Sequence, residues 1–329
     1  MSRALDKGIK EALGHGDHEK VFSEVASALA QRHEHLLEIE LLGPSHVLPH
    51  DAVYLQDGNA LALPKLRLVQ AFIAARKKLG YGAPSSAPNL AESREVVMQA
   101  TAVALLMDAE NLTAANTRKR TLAAAAAAAT PDMLQREKYF IDSLLTSRLH
   151  RHTKSPTLWS HRRWLLGQLG RAGLPVDAAS DLRRVVFVSG ERHPRNYYAW
   201  CHARHLVDVC WDGSADDMDG LVDDTRRWCL AHHDDVSGWM FLLSLLLGKD
   251  REEAKGKARA VFDDTIRLAE GFRWRNESVW YFLRNLAASE HVDDVLGFRR
   301  AMERVRGTGE EQRRGSRRQP TQTNMPDTA

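Results

Sequence analysis

Residues 155–166 read Ser-Pro-Thr-Leu-Trp-Ser-His-Arg-Arg-Trp-Leu-Leu, and residues 196–204 read Asn-Tyr-Tyr-Ala-Trp-Cys-His-Ala-Arg. Each stretch places a Trp four residues after a side chain that can cap a helix. Four tryptophans follow one another at spacings of 41, 39 and 41 residues: Trp159, Trp200, Trp239 and Trp280. A steady period near 40 residues is typical of helical-hairpin arrays, so this spacing decides the fold class.

The position four residues before each Trp carries a residue type that accepts hydrogen bonds from free helix N–H groups. These residues are Asn111, Ser155, Asn196, Asp235 and Asn276, and in the first copy Ala115 stands where the Trp is expected. Each cap predicts a helix that carries the Trp in its second turn and buries it in the core. Four residues after the Trp positions come Lys119, Arg163, Arg204 and Arg284, with Leu243 as the exception. For the three arginines, an ion pair between repeats is favoured over a substrate contact.

The segments between these helices have apolar residues at helical spacing, which predicts a second helix in each repeat. A single hairpin cannot bury its apolar face, so neighbouring hairpins must stack. Residues 91–305 are therefore predicted to form about five helical hairpins, an all-α fold of the alpha-alpha superhelix (right-handed solenoid) class. Residues 1–90 are expected to form an N-terminal extension with a possible β-hairpin at Asp57–Gly58, and residues 306–329 a disordered basic tail.

Charge and cysteine content exclude several function classes. The formal charge of the 329 residues is +3, and it arises from Arg304 onward, where six arginines face three acids. Residues 1–303 sum to zero, which argues against nucleic-acid binding as the main function. The sequence contains no stretch of 18 apolar residues, so no membrane span is predicted. The three cysteines (Cys201, Cys210 and Cys229) cannot form a disulfide framework, so a cytoplasmic location is expected.

The sequence contains no motif of a self-sufficient active site. The 15 histidines include no His-Glu-x-x-His pair and no set with zinc-finger spacing. Phosphate-binding loops, nucleophile elbows and dinucleotide fingerprints are also missing. Neither a catalytic residue, a metal site nor a cofactor is therefore predicted in this chain.

Over about residues 100–290, the repeats resemble those of protein prenyltransferase alpha subunits. The resemblance rests on Asn-Tyr-x-x-Trp-x-His-x-Arg at 196–204, Trp-Ser-His-Arg-Arg-Trp at 159–164 and Asn-Glu-Ser-x-Trp at 276–280. The extended N-terminal part and the loss of Trp at Ala115 are most similar to the divergent branch of alpha subunit repeat-containing proteins.

The resemblance implies a function that needs a second chain. Alpha subunits of this family wrap a barrel-shaped beta subunit, which carries zinc and the prenyl cavity. The complex transfers farnesyl or geranylgeranyl from its diphosphate to a cysteine of an acceptor protein, and the alpha chain alone is expected to be inactive. Arg195 and Tyr197 align with the family segment beside the isoprenoid diphosphate. Repeat or partner-interface roles are implied for Asn196, Trp159, Arg163, Trp200, Arg204, Trp239, Trp280 and Arg284.

A second interpretation stays open. The divergence at Ala115 and at Leu242–Leu243 also fits a helical-repeat scaffold without enzyme association. Such a scaffold would bind a protein or peptide on its concave face.

Overall fold

The computed structural model describes residue 13 and residues 16–43, 45–46, 48–49, 52–80, 90–124, 131–211, 213–248 and 252–316. The chain divides into two compact units, residues 1–212 and 213–329. Apart from one small sheet, the regular elements of the described residues are helices. The predicted all-α repeat fold is confirmed.

The N-terminal part of the first unit combines helices with a three-stranded sheet. Its elements are α1 (His18–Ala30), β1 (Glu38–Leu42), β2 (Leu55–Asp57), β3 (Ala60–Pro64) and α2 (Lys65–Lys78). Strands β2 and β3 pair antiparallel across Gly58, whose φ of 55° suits a tight turn, so the predicted hairpin is confirmed. Strand β1 pairs parallel to β3, a contact that no local turn signal could predict. The Gly/Pro/Ser-rich stretch 81–89 lies outside the described residues.

Five pairs of helices follow in chain order, which we call hairpins, each with a first (A) and a second (B) helix; the third pair has its A helix in the first unit and its B helix in the second. A preceding helix, α3, spans Leu90–Met107. The A helices are α4 (Leu112–Ala124), α7 (Pro156–Arg171), α10 (Tyr197–His205), α12 (Val236–Leu246) and α14 (Glu277–Ala287). The B helices are α5 (Pro131–Thr146), the pair α8 (Ala178–Asp181) and α9 (Val188–Arg192), α11 (Ala215–Ala231), α13 (Glu252–Gly271) and α15 (Val295–Ser316); a short helix, α6 (His150–Thr153), precedes α7.

Two π-helical turns interrupt this pattern in the first unit. Leu182–Phe187 joins α8 to α9, and Leu206–Cys210 continues α10. Such turns insert a residue into the helical register, which a pattern of apolar residues does not reveal.

Every predicted cap forms. The side chains of Asn111, Ser155, Asn196, Asp235 and Asn276 accept hydrogen bonds from backbone N–H groups of the A helices that they begin. These bonds are 3.0–3.3 Å long. The sequence therefore located the start of each A helix to the residue.

The caps also connect successive hairpins. Ser155 Oγ donates to the carbonyl of Ala109, and Asn196 Nδ2 donates to the carbonyl of Thr153. The Thr153 carbonyl also accepts from Trp159 Nε1 at 2.8 Å. One backbone oxygen thus holds a Trp of its own repeat and the cap of the next, which explains why cap and Trp recur together.

The end of the repeat array differs from the prediction. Helix α15 (Val295–Ser316) continues past residue 305, where the disordered tail was expected to begin. Residues 317–329 lie outside the described part, as do residues 125–130 of the alanine run.

Candidate functional site

A buried ion pair lies between the first two A helices. Arg118, on α4, makes a two-pronged contact with Glu137 of α5, with Nε–Oε1 and Nη2–Oε2 distances of 2.9 and 2.5 Å. His161 Nε2, on α7, lies 2.9 Å from the same carboxylate. Burial alone would raise the pKa of Glu137, but Arg118 and the hydrogen bond of His161 lower it to about 2. Glu137 is therefore a carboxylate at neutral pH.

A closed ring of charges repeats this arrangement one hairpin later. Arg162 contacts Asp142 and Asp181 at 2.7 Å each. Lys138 contacts the same two carboxylates at 2.7 and 2.6 Å. Two cations therefore balance two anions, which is the condition for keeping such charges inside a protein.

His202, on α10, completes the second cluster. Its Nε2 lies 2.6 Å from Arg162 Nη1. Burial and the neighbouring Arg162 hold the pKa of His202 well below its usual value, so the imidazole of His202 is neutral. Because arginine can only donate, Nε2 is the acceptor and the proton lies on Nδ1. In both clusters an Arg of one A helix, a B-helix carboxylate and a His of the next A helix lie together.

The ion-pairing arginines stand one residue earlier than expected. Arg118 and Arg162 follow the Trp position by three residues, and both are buried. Arg163 and Arg284 are exposed and Arg204 is half-buried. Among the described residues, none of these three forms an ion pair. The expectation that they pair between repeats is wrong, because the +3 position of the A helix, and not +4, is directed at the B-helix carboxylates.

Three of the four repeat tryptophans are core residues, as predicted. Trp159, Trp200 and Trp239 are exposed by only 3%, 1% and 0%, and Ala115 at the corresponding position of α4 is also buried. Trp280, in the last hairpin, is half-buried. Its indole still donates to a carbonyl six residues earlier, as that of Trp239 does. These side chains therefore hold the array together.

Arg195 and Tyr197 flank the buried cap of α10. Asn196 is exposed by only 1%, whereas Tyr197 is 67% exposed. Arg195 is exposed and has a φ of 58°, in the left-handed region that favours glycine. The Cys201 thiol, by hydrogen bond and charge, raises the pKa of Tyr197. Tyr197 consequently remains a hydrogen-bond donor at neutral pH, beside an arginine and a helix N-terminus that attracts anions.

The three A helices of the first unit carry cations at equivalent positions. Lys119, Arg163 and Arg204, which we call the cation row, supply one cation to each of α4, α7 and α10. Lys119 Nζ lies 5.9 Å from the ring centre of Trp164, which links α4 to α7. Burial first, and then Arg163, lower the pKa of His205, which places Arg163 and α10 close together. The sequence identified these positions as cationic, but it predicted ion pairs for the two arginines rather than proximity to an aromatic or imidazole ring.

Two chemical features are missing from the described residues. No three His, Cys, Asp or Glu side chains in the described ranges converge as they would around a metal ion. Within the same ranges, no helix combines the length and apolar character needed to cross a bilayer.

The fold and these contacts define a helical-repeat protein whose hairpins are joined by caps, tryptophans and buried ion clusters. Residues 140–169 match the model of the protein prenyltransferase alpha subunit repeat, and residues 158–272 match that of the ECM9 middle domain. The first match covers 159–164, one of the three stretches that carry the resemblance, and the second also covers 196–204.

Curated relatives agree with this class. The chain is 28% identical over 177 residues to protein prenyltransferase alpha subunit repeat-containing protein 1 of Danio rerio, and 29% over 184 residues to that of Homo sapiens. Each match covers 48% of this chain. It is 27% identical over 241 residues to Protein ECM9 of Saccharomyces cerevisiae, a match covering 70% of this chain. The predicted resemblance is confirmed.

The matches cover only part of the relatives. The chain spans 39% and 42% of the two vertebrate proteins and 60% of the yeast protein. What those proteins do as a whole is therefore no measure of what this chain does.

Proposed function

We propose that this chain is the alpha-type subunit of a heterodimeric protein prenyltransferase that acts in the cytoplasm. The reaction is the transfer of a farnesyl or geranylgeranyl group from its diphosphate to a cysteine of an acceptor protein. The alpha subunit repeat at residues 140–169 and the repeat-containing relatives support the class.

One observation supports the proposal that Arg195 and Tyr197 contact the diphosphate. Arg195 and Tyr197 are exposed next to each other at the N-terminus of α10, while Asn196 between them is buried as the cap. A permanent cation, a phenol that stays protonated and a helix N-terminus are three groups that stabilise a phosphate anion. None of them can act as a nucleophile at neutral pH, so we assign them to the leaving group.

The proposed chemistry divides the work between two chains. The acceptor cysteine, as a thiolate, attacks carbon 1 of the isoprenoid, a C–S bond forms and the C–O bond to diphosphate breaks. We propose that the zinc which favours the thiolate is supplied by the beta-type subunit. Arg195 and Tyr197 would neutralise the charge that develops on the departing diphosphate, a term that lowers the barrier directly.

Co-expression with each beta-type subunit of the same organism tests this proposal. We expect a stable heterodimer that transfers a labelled prenyl group to a cysteine-containing acceptor, with no transfer by this chain alone. Arg195→Ala is expected to slow transfer at least about tenfold without loss of the complex, because it removes a charged contact made in the transition state. Arg192→Ala, at the nearby end of α9, is the matched control. An active heterodimer that is insensitive to Arg195→Ala would overturn the diphosphate assignment.

The alternative function is a scaffold without enzyme association. At the position of the cation row, α12 carries Leu243, which is buried with 7% exposure. The repeat therefore departs from the alpha subunit pattern in the second unit as well as at Ala115. A chain that binds no beta-type subunit, but binds another protein or a peptide, would favour this function.

A further inference from the structure

Three nearly parallel aromatic rings lie in the second unit, where the turn before α14 meets the turn before α12. The rings of His233 and Trp274 have centroids 5.0 Å apart and an interplanar angle of 24°. The ring of Phe272 stacks on Trp274, with a centroid distance of 6.0 Å and an angle of 19°. Phe272 is nevertheless 70% exposed. Most of its ring surface is therefore open to a further planar group. We call residues 272–276 the aromatic turn.

The aromatic turn is held in place on both sides of Trp274. The Trp274 N–H donates to the carbonyl of Ala269 at 2.9 Å, and the Trp274 carbonyl accepts from Trp280 Nε1 at 2.8 Å. Asn276 Nδ2 donates to His233 Nδ1 at 2.5 Å, which joins the two turns. The rings are thus positioned by the protein itself, so a ligand that stacks on them loses little free energy to ordering them.

Exposed cations accompany the open ring. Arg273 and Arg275 stand on either side of Trp274 in the sequence, and both are exposed. Glu270, the acid that precedes them, pairs with Arg304 at an Nη2–Oε1 distance of 2.5 Å, so its charge is already balanced. A ligand that contacts both the ring and these arginines must be flat and anionic. Cationic ligands that bind aromatic rings would be repelled by the same arginines.

The extent of the open surface favours a small ligand over a protein. The other exposed residues of segment 271–277 are Gly271, Arg273, Arg275 and Glu277, none of which has a large apolar side chain. One ring surrounded by charged residues is smaller than the apolar centre of a protein interface. It matches the area of one nucleobase, and proteins bind unpaired bases by stacking them on Phe, Trp and Arg side chains.

We infer that the aromatic turn binds one nucleotide unit, with the base stacked on Phe272 and the phosphate contacted by the two exposed arginines. A guanidinium and a phosphate form charge-assisted hydrogen bonds, which arginine can make in parallel pairs. A nucleotide carries a flat ring and a phosphate in one molecule, whereas a sugar phosphate and an acidic peptide lack the ring. Because only one unit is bound, the zero net charge of residues 1–303 is no obstacle. This site does not depend on the proposed prenyl transfer.

The test titrates the full chain with a fluorescein-labelled tetra-adenylate. Phe272→Ala removes the ring, Phe272→Trp enlarges it, and Arg275→Gln removes one charge. The controls are Leu112→Ala and Arg151→Gln, at side chains of the other unit that are 62% and 76% exposed. Circular dichroism and thermal unfolding verify that every variant folds.

We expect Phe272→Ala to bind the labelled strand about tenfold more weakly, as the loss of one stacked base does, and Phe272→Trp to bind at least as well as the unaltered chain. Arg275→Gln should reduce the slope of log Kd against log salt concentration by about 0.7, the share of one phosphate contact in a single strand. The controls should bind like the unaltered chain. If Phe272→Ala also binds like the unaltered chain, the stacking site is overturned.

Competing ligands show what the ring recognises. Adenosine monophosphate should displace the labelled strand, and ribose 5-phosphate, which lacks the base, should not. Equal displacement by the two would overturn the inference, because charge alone would then explain binding. Duplex RNA that binds as tightly as the single strand would also overturn it, since paired bases cannot stack on Phe272.

Two supporting outcomes separate the sources of the nucleotide. If adenosine monophosphate competes as well as unlabelled tetra-adenylate, the ligand is a free nucleotide. If the unlabelled strand competes better, the ligand is single-stranded nucleic acid, because neighbouring units then add contacts. If neither adenosine monophosphate nor the strand binds the unaltered chain, the inference is overturned and the open ring of Phe272 is left to a protein partner.

Discussion

Arg162 donates a hydrogen bond to His202 of the next repeat, with 2.6 Å between Nη1 and Nε2. The bond requires a neutral imidazole, because a protonated His202 would have no free lone pair at Nε2. The same guanidinium forms ion pairs with Asp142 and Asp181, which it balances together with Lys138. One side chain thus joins the A helix of one repeat, the B helices and the next A helix, and its removal has consequences that differ from those of its neighbour Arg163.

Replacing Arg162 is expected to destabilise the fold strongly. Arg162→Leu leaves Lys138 alone against two buried carboxylates, and an unbalanced buried charge costs about 3–5 kcal/mol. Arg163→Leu changes an exposed side chain and should alter the free energy of unfolding by less than about 0.5 kcal/mol. Urea denaturation of both variants measures the difference. Equal losses of stability in the two variants would contradict the buried ring of charges around Arg162.

The comparison of Arg162 with Arg163 shows where prediction from sequence stops. Period, caps and the buried tryptophans follow from local residue types, and the Asn196 cap was placed correctly because a cap needs only its own helix. Choosing between two adjacent arginines requires the position of Asp142 and Asp181 on other helices, which spacing does not give. The π-helical turn at Leu182–Phe187 escapes prediction for the same reason, since tertiary packing stabilises it.

The candidate site also contains features that the sequence predicted and features that it did not. The exposure of Arg195 and Tyr197 follows from the burial of Asn196 between them, and their role was supplied by resemblance alone. The buried clusters were missed, although His161 and Arg162 stand side by side in the sequence. The available signal was a polar pair on a helix whose neighbouring turns bury Trp159 and Leu165.

Stability should fall on mild acidification, partly through His202. Its folded-state pKa lies well below the ordinary value of 6.5, so below pH 6.5 the unfolded chain binds a proton that the folded chain does not. The stabilisation is complete above pH 6.5 and is lost as the pH falls toward the folded pKa. His202→Gln keeps an acceptor for Arg162 and cannot titrate. We expect its loss of unfolding free energy between pH 7.5 and 5.5 to be smaller by about 1 kcal/mol.

The control for this titration is His35→Gln, at an exposed side chain. Denaturant unfolding at several pH values should give this variant the full slope of the unaltered chain. A His202→Gln slope that equals the slope of the control would show that His202 does not titrate on unfolding.

Stronger acid should act through Glu137. Its pKa of about 2 lies below the ordinary value of 4.5, so its stabilisation is complete above pH 4.5 and is lost as the pH falls toward 2. The difference corresponds to about 3 kcal/mol. Glu137→Gln should therefore be less stable by about this amount at pH 6, and its stability should depend less on pH between 4.5 and 2. Acid titrations of Glu137→Gln and of the unaltered chain, followed by circular dichroism, test this prediction.

Two caps should differ in what they stabilise. For Asn111 the structure records the cap bond to Ala114, whereas Asn196 also donates to the Thr153 carbonyl of the preceding hairpin at 2.7 Å. Asn111→Ala is expected to cost about 1 kcal/mol, the usual loss of a cap. Asn196→Ala should cost about 1 kcal/mol more, because a buried carbonyl also loses a donor.

A third variant separates the two roles of Asn196. Asn196→Asp keeps the cap acceptor, removes the donor and places a buried carboxylate against the Thr153 carbonyl, so it should lose more stability than Asn196→Ala. Thermal unfolding of the three variants provides the comparison. Equal costs for Asn111→Ala and Asn196→Ala would show that the bond between hairpins contributes nothing.

Arg195 offers a substitution in which stability and activity should change in opposite directions. Its φ of 58° is unfavourable for a residue with a Cβ, by about 1 kcal/mol, and glycine removes this strain. Arg195→Gly should therefore stabilise the chain, while Arg195→Ala retains the strain. Both variants lack the charge proposed to face the diphosphate, so both should slow prenyl transfer equally. Arg273→Gly, at an exposed arginine with a φ of 52°, is the control that should stabilise without slowing transfer. Unfolding and transfer assays on the same preparations measure both effects, and a transfer rate that followed stability rather than charge would remove Arg195 from the proposed site.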